Sequence, residues 1–173
     1  QEIFGKIPRC EYVYWVSDAL VADFENYKKV RDFCTVRNGL TTGDNDRFLR
    51  LWFEIDEMQE GKKWFPCNKG GAFRRWYGNK DYLINWQDDG YELKHFYDLK
   101  TKKLRSTLRN IDFNFRSSIV VGHVASGDLP YRLVDKGAIS ESAVNSIYTL
   151  DDRINLKYML GVFNSKPCNY ISR

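Results

Sequence analysis

The apolar residues fall into short runs separated by polar, glycine-punctuated turns. Residues 10–16 are apolar and aromatic and read as a strand or an extended lead-in. After Ser17, a capping residue type, Leu20, Val21, Phe24 and Tyr27 recur at helical spacing, and Lys28 and Lys29 sit where a helix C-terminus favours cations; this predicts a helix over 18–29. Residues 30–37 alternate loosely and read as a strand. Residues 47–55 carry Phe48, Trp52 and Phe53, which favour a pleated surface, and read as a second strand. Residues 56–61 are acidic and read as a loop. Pro66 and Gly70-Gly71 break 62–80 into strand–loop–strand, and 81–86 form a short strand. Asp88 and Asp89 suit a first helical turn, so 88–98 is expected to be helical. Residues 118–125 and 129–134 read as strands. Residues 138–149 are small and polar up to Ile147-Tyr148 and suggest no element of their own. Asp151-Asp152 opens an expected helix through about Phe163, ended by Asn164-Ser165. Its apolar residues cover more than one face, so it is expected to be well buried. The predicted fold class is α+β: a twisted, mainly antiparallel sheet with flanking helices.

Composition adds a core and a mild positive charge. Apolar residues make up 43% of the chain and charged residues 29%, which is enough to fold as one domain. Aromatics reach 16%, and the net charge is +4. No stretch approaches the ~20 apolar residues of a membrane helix, and the first residues lack the pattern of a secretory signal. The chain opens on Gln1, which fits a piece of a longer protein. Cys10, Cys34, Cys67 and Cys168 form no CxxC pair and read as reduced thiols of a cytoplasmic protein. No phosphate-binding glycine loop, nucleophile elbow or HExxH is present. His95 and His123 stand alone: His95 reads as a half-packed helical residue, and His123 as a strand residue satisfied by a neighbour or one that orients a ligand. No catalytic or metal-binding set emerges.

The chemistry that does emerge is cationic and aromatic. Residues 62–80 contain Lys62, Lys63, Lys69, Arg74, Arg75 and Lys80 without one acidic residue, interleaved with Trp64, Phe65, Phe73, Trp76 and Tyr77. Lysine and arginine neutralise phosphates, and arginine and asparagine read base edges. Gly70-Gly71 allows close approach of backbone to a phosphate. A solvated basic hairpin with its aromatics in the core is the plainer alternative. Residues 100–109 form a second basic run with Lys102 and Lys103, and 38–47 make a polar loop rich in glycine and threonine.

Several stretches carry a resemblance, among them Asn85-Trp86 with Asp89-Gly90 and the lead-in Ile7-Pro8 with Tyr14-Trp15-Val16-Ser17. Gly39 to Arg50, followed by Trp52, resembles a signature of PglX-like adenine-specific DNA methyltransferases of BREX phage defence, with related forms in type IIG restriction-modification enzymes. Lys63-Trp64-Phe65-Pro66, Asn68-Lys69-Gly70-Gly71, Phe73-Arg74 and Trp76-Tyr77-Gly78 resemble that family's KWFPxNKGGxFRxWYGN pattern, and Leu160 to Lys166 resembles the helix end of its specificity domains. Residues 115–124 depart from the pattern. The family's glycine-rich cofactor motif and [N/D]PP[Y/F] motif are not found in this chain. The resemblance therefore implies a single target-recognition domain over 1–173, without methyl transfer of its own, within a parent that uses S-adenosylmethionine. Implied partners are double-stranded DNA, the parent's methylase domain and other defence proteins, with no membrane. Lys62, Lys69, Lys80, Lys102 and Lys103 are the candidate phosphate contacts. Thr41, Thr42, Asn45, Arg47, Asn68, Arg74 and Arg75 are candidates for groove contacts, and Arg116 joins the DNA-binding set. The rival reading is a protein-interaction module that docks another defence component or a phage protein.

Overall fold

The computed structural model describes residues 17–123, 127–151 and 153–171. The expected lead-in 10–16 and residues 124–126 of the expected strand 118–125 lie outside them. Two compact units divide the chain after Cys34.

In the first unit, helix α1 spans Asp18–Asn26 and is capped by Ser17, whose Oγ accepts the Leu20 N–H at 3.3 Å. The helix stops short of Lys28 and Lys29. A single 3-10 turn follows at Val30–Asp32, closed by the Asp32 carboxylate on the Lys29 N–H at 2.7 Å, so the expected strand 30–37 begins only at Cys34.

The second unit is α+β with two four-stranded sheets. Strands β1 (Cys34–Asn38), β8 (Val144–Thr149), β5 (Ser118–Gly122) and β6 (Arg132–Val134) form one sheet in that order. Strands β2 (Leu49–Leu51), β4 (Tyr82–Asn85), β3 (Trp64–Asn68) and β7 (Ile139–Ser140) form the other. β4 pairs antiparallel with β2 and β3, while β3 and β7 run parallel. Leu49, Ile84 and Phe65 lie in one row across β2, β4 and β3. Strand alternation puts them on one face, where they pack with Leu40, Phe48, Cys67, Trp86, Leu93, Phe96 and Ile139 into the main core.

Several expectations are corrected by local hydrogen bonding. The strand expected over 47–55 is mostly not a strand. Asp44 accepts the Arg47 N–H at 3.1 Å and caps a short helix, α2 (Asn45–Phe48), which turns Phe48 into the core. Glu54 accepts the Leu51 N–H at 2.8 Å and closes a 3-10 turn, leaving Trp52 and Phe53 exposed. The helix expected over 88–98 is α3 (Gln87–Lys94), and its start is left-handed. Asp88, Asp89 and Gly90 have φ of 51°, 55° and 72°. The turn is held by Asp89, which accepts from Trp86 Nε1 at 3.2 Å and from Lys94 Nζ at 2.5 Å. Residues 138–149, silent in the sequence, supply β7 and β8. The C-terminal helix α4 (Leu156–Phe163) begins at Leu156 rather than Asp151, because Asn155 caps it by accepting the Lys157 and Tyr158 N–H groups. α4 is also less buried than its composition suggests: Met159, Leu160 and Phe163 are covered, while Tyr158 and Val162 face solvent. A last helix, α5 (Lys166–Ile171), follows.

Among the described residues no helix is long and apolar enough to cross a membrane. Cys34 and Cys67 are buried free thiols. Burial, aided by the nearby Glu141 charge and opposed by Lys69, pushes the Cys67 thiol up to about 12. The folded state then holds a proton that the unfolded state loses, so this group subtracts stability as pH rises from the ordinary thiol value toward 12. Cys67 is expected to resist iodoacetamide at pH ~8 in the folded chain and to react fully in denaturant. Peptide mass mapping of the two samples checks this.

Candidate nucleic-acid interface

The loop between β3 and β4 carries most of the cationic-aromatic segment. It crosses to the other sheet and is fastened along β6. The Trp76 N–H donates to the Tyr131 carbonyl at 3.1 Å, and the Trp76 carbonyl accepts from Leu133 at 2.9 Å. Arg75 pairs with Asp128 at 2.6 Å, and Lys80 with Asp135 at 2.9 Å. Asn79 is buried and donates to the Ala72 carbonyl at 3.0 Å, tying the base of the loop to its outgoing limb.

These contacts divide the candidate residues. Arg75 and Lys80 are anchored by carboxylates, and the Lys80 ammonium also lies 3.9 Å from the Tyr77 ring centroid. Lys62 and Arg74 are exposed. Lys69 is half-buried, with its ammonium 4.7 Å from the Tyr82 ring centroid. It shares a groove of 400 Å³ with Asn45, Asp46 and Arg50. Asn68 is buried at the end of β3, and neither side-chain amide atom has a protein partner. It borders a second groove, of 450 Å³, with Lys80 and Asp135. Asp135 also borders a third groove, of 760 Å³, with Arg116 and Lys157. Arg116 itself is exposed and rests over the Phe113 ring.

The loop 38–47 is built differently from a flexible recognition loop. Thr41 exchanges two backbone hydrogen bonds with Thr107, at 2.9 and 2.8 Å. Thr42 is buried, and its hydroxyl donates to Asn45 Oδ1 at 2.6 Å. Arg47 donates through Nε and one terminal nitrogen to Glu92 Oε1 at 2.8 and 2.6 Å, and Asn85 donates to the other Glu92 oxygen at 2.9 Å. The Arg47 guanidinium lies 4.8 Å from the Phe96 ring centroid, and that of Arg105 lies 4.7 Å from the same ring. Phe96 is thus an apolar shelf for two cations. They line a groove of 760 Å³ with His95 and Lys100.

Lys102 and Lys103 lie beside this groove on a tight turn. Asp98 organises the turn by accepting the Lys100 and Thr101 N–H groups and the Thr101 hydroxyl at 3.0, 2.7 and 2.9 Å. The Thr101 N–H, then its hydroxyl, hold the Asp98 carboxyl below its ordinary value. His123 bonds to Asn38 and Asn145 at 3.1 Å each. Lys69, Asn68, Arg74, Arg75 and Lys80 lie on or beside the β3–β4 loop and Arg47 on the Phe96 shelf, whereas Arg116 rests over Phe113 and Thr41 is paired with Thr107. Sequence reasoning left Arg50 out, and it counted Arg105 only within the basic run 100–109 that could track a backbone, with no sign of its seat on Phe96. It also missed the anchoring acids Glu92, Asp128 and Asp135, which no local pattern marks.

The described residues gather cations and rings on a loop fastened along β6, and no group of three or more metal-ligating side chains stands among them. Comparison with known proteins places the chain more closely. No family model matches the chain. Over 178 residues it is 34% identical to an adenine-specific methyltransferase, PglX, of Lacticaseibacillus casei (strain Zhang), covering 95% of this chain and 15% of that protein. Over 177 residues it is 31% identical to the adenine-specific methyltransferase BrxX of Escherichia coli O9:H4 (strain HS), covering 98% of this chain and 14% of that protein. The chain is a homologue of one segment of these PglX and BrxX adenine-specific methyltransferases and spans about 15% of their length.

Proposed function

We propose that the chain recognises duplex DNA on behalf of an adenine-specific methyltransferase. The observation that carries this reading is the segment 62–80, which has no acidic residue: its Lys62, Lys69 and Arg74 have no carboxylate partner among the described residues, and its loop after β3 is fastened to a sheet edge. A rigid mount with free cations is what phosphate binding requires. The Phe96 shelf, with Arg47 and Arg105, and the Lys100–Lys103 turn make a second contact area. The methyl transfer itself belongs to a methylase domain of the parent protein, which uses S-adenosylmethionine and serves phage defence or restriction-modification in the cytoplasm. The parent must flip its adenine out of the stack; this chain would grip the flanking duplex, whole and unreacted.

Fluorescence anisotropy with a short duplex at ~50 and ~200 mM salt tests the reading. Binding is expected to weaken by orders of magnitude between the two conditions. Lys62→Ala, Lys69→Ala and Arg74→Ala combined should weaken it by at least ~10-fold and make the salt dependence shallower, since each lost phosphate contact reduces the slope by about 0.9. Salt-insensitive binding, or a triple variant that binds as the wild type does, would sink the proposal.

A second reading has its own observation. Trp52, Phe53 and Met58 are exposed beside Glu54, Asp56, Glu57 and Glu60. An acidic, apolar surface repels DNA and suits a protein partner, such as the methylase domain or another defence component.

A further inference from the structure

Trp76 is held in a backbone conformation that a bulky residue avoids. Its φ is 74°, in the left-handed region, which costs an L-residue free energy at every occurrence. The indole does not recover that cost by burial, because the residue is 54% exposed. The conformation persists because the surroundings over-determine it. Two backbone hydrogen bonds to β6 fix the residue itself, and the Arg75–Asp128 and Lys80–Asp135 ion pairs fix the chain on either side. At Gly78, φ is 124° and an added Cβ would come within 2.8 Å of the Arg74 side chain, so the chain doubles back beside the ring. Strain imposed from several directions marks a position whose geometry is used.

The setting says what uses it. Along the chain the ring is flanked by two other exposed aromatics, Phe73 and Tyr77, and by the exposed Arg74, while Arg75 and Lys80 are moored to Asp128 and Asp135. An exposed apolar plane beside an exposed arginine suits a nucleobase and its neighbouring phosphate. We propose that Trp76 is a preset aromatic wedge that stacks on a nucleobase of bound DNA at a step where the duplex opens. The proposal rests on the DNA-recognition reading above and goes beyond it: the loop deforms the duplex as well as holding its backbone. Every base offers a π face, so the wedge adds affinity and opening without choosing sequence.

The test uses mixed-sequence duplexes carrying 2-aminopurine, a base that brightens when unstacked, at successive positions. The chain is expected to raise emission at one step. Trp76→Ala should abolish the rise and weaken binding by at least ~5-fold, and Trp76→Phe should keep part of both. Trp76→Gly separates ring from backbone, since glycine accepts the left-handed conformation without strain; it should fold normally and still lose the signal. Duplex binding without any rise in emission, and unchanged in Trp76→Gly, overturns the wedge, leaves DNA recognition standing and makes the ring a protein contact. Failure of the wild-type chain to bind any duplex at ~50 mM salt overturns both readings together.

Discussion

Gly39→Ala is expected to cost more than about 3 kcal/mol and to lower the melting temperature by roughly 10 °C. Gly39 ends the passage from β1 into the loop 38–47, where the chain runs against the segment after β7. Leu40 donates to Ser140 at 3.1 Å, and Ser142 donates to Leu40 at 2.8 Å. A Cβ on residue 39 would lie 2.1 Å from the Ser140 carbonyl oxygen and 2.7 Å from the Glu141 carbonyl carbon. These are backbone atoms, so no side chain can swing aside. The chain must give up the Leu40 hydrogen bonds or shift β7, and β7 carries Ile139 of the main core. Gly161→Ala is the internal control. It lies within α4 with no atom near its would-be Cβ, so the same added methyl should be neutral or stabilise by up to ~1 kcal/mol. Thermal melts of the two variants side by side check this; equal melting temperatures would mean that the close approach at Gly39 is wrong.

Phe48→Ala is expected to cost about 3–5 kcal/mol, because a fully buried ring leaves a cavity. Its effect should exceed stability alone. Phe48 meets Phe96 edge to face, with ring centroids 5.1 Å apart, and Phe96 is the shelf beneath Arg47 and Arg105. Once Phe96 can tilt into the vacated space, both guanidinium groups lose their seat. At a temperature where the variant is still folded, its DNA affinity should therefore drop although no cation has been removed. Phe48→Leu should restore most of the stability, since it keeps most of the volume. Chemical denaturation beside anisotropy reads both effects; a destabilised variant with wild-type affinity would separate the shelf from binding.

Signals carried by a few neighbouring residues were legible in the sequence. Ser17 announced α1 and 81–86 enclosed β4, but Pro66, expected to break 62–80 into two strands, sits inside β3, and no second strand forms before β4. The strand expected at 47–55 failed because Asp44 caps a helix there and only Leu49–Leu51 find partners on β4. β7 and β8 left no trace because their small polar residues are buried between elements. Ser146 donates to Ser140 at 2.9 Å, so hydroxyls do there what apolar alternation does elsewhere. The basic-aromatic segment was equally plain, but the fate of its charges was not. Arg75 finds its carboxylate 53 positions away, Lys80 finds its own 55 away, and Arg47 finds Glu92 45 away. A charge count along the chain cannot tell a moored cation from a free one.

The left-handed turn at Asp88-Asp89-Gly90 also bears on how the protein ages. Among aspartates, one that precedes glycine is the most prone to cyclise, when the glycine nitrogen attacks the preceding carboxyl, and then to reopen as an isomerised backbone. Here the Gly90 N–H is engaged by the Trp86 carbonyl at 3.3 Å. The hydrogen bond and charge of Lys94 hold the Asp89 carboxyl below its ordinary value, which keeps it ionised and a poor electrophile. The unusual turn thus shelters a chemically fragile bond for as long as the chain stays folded.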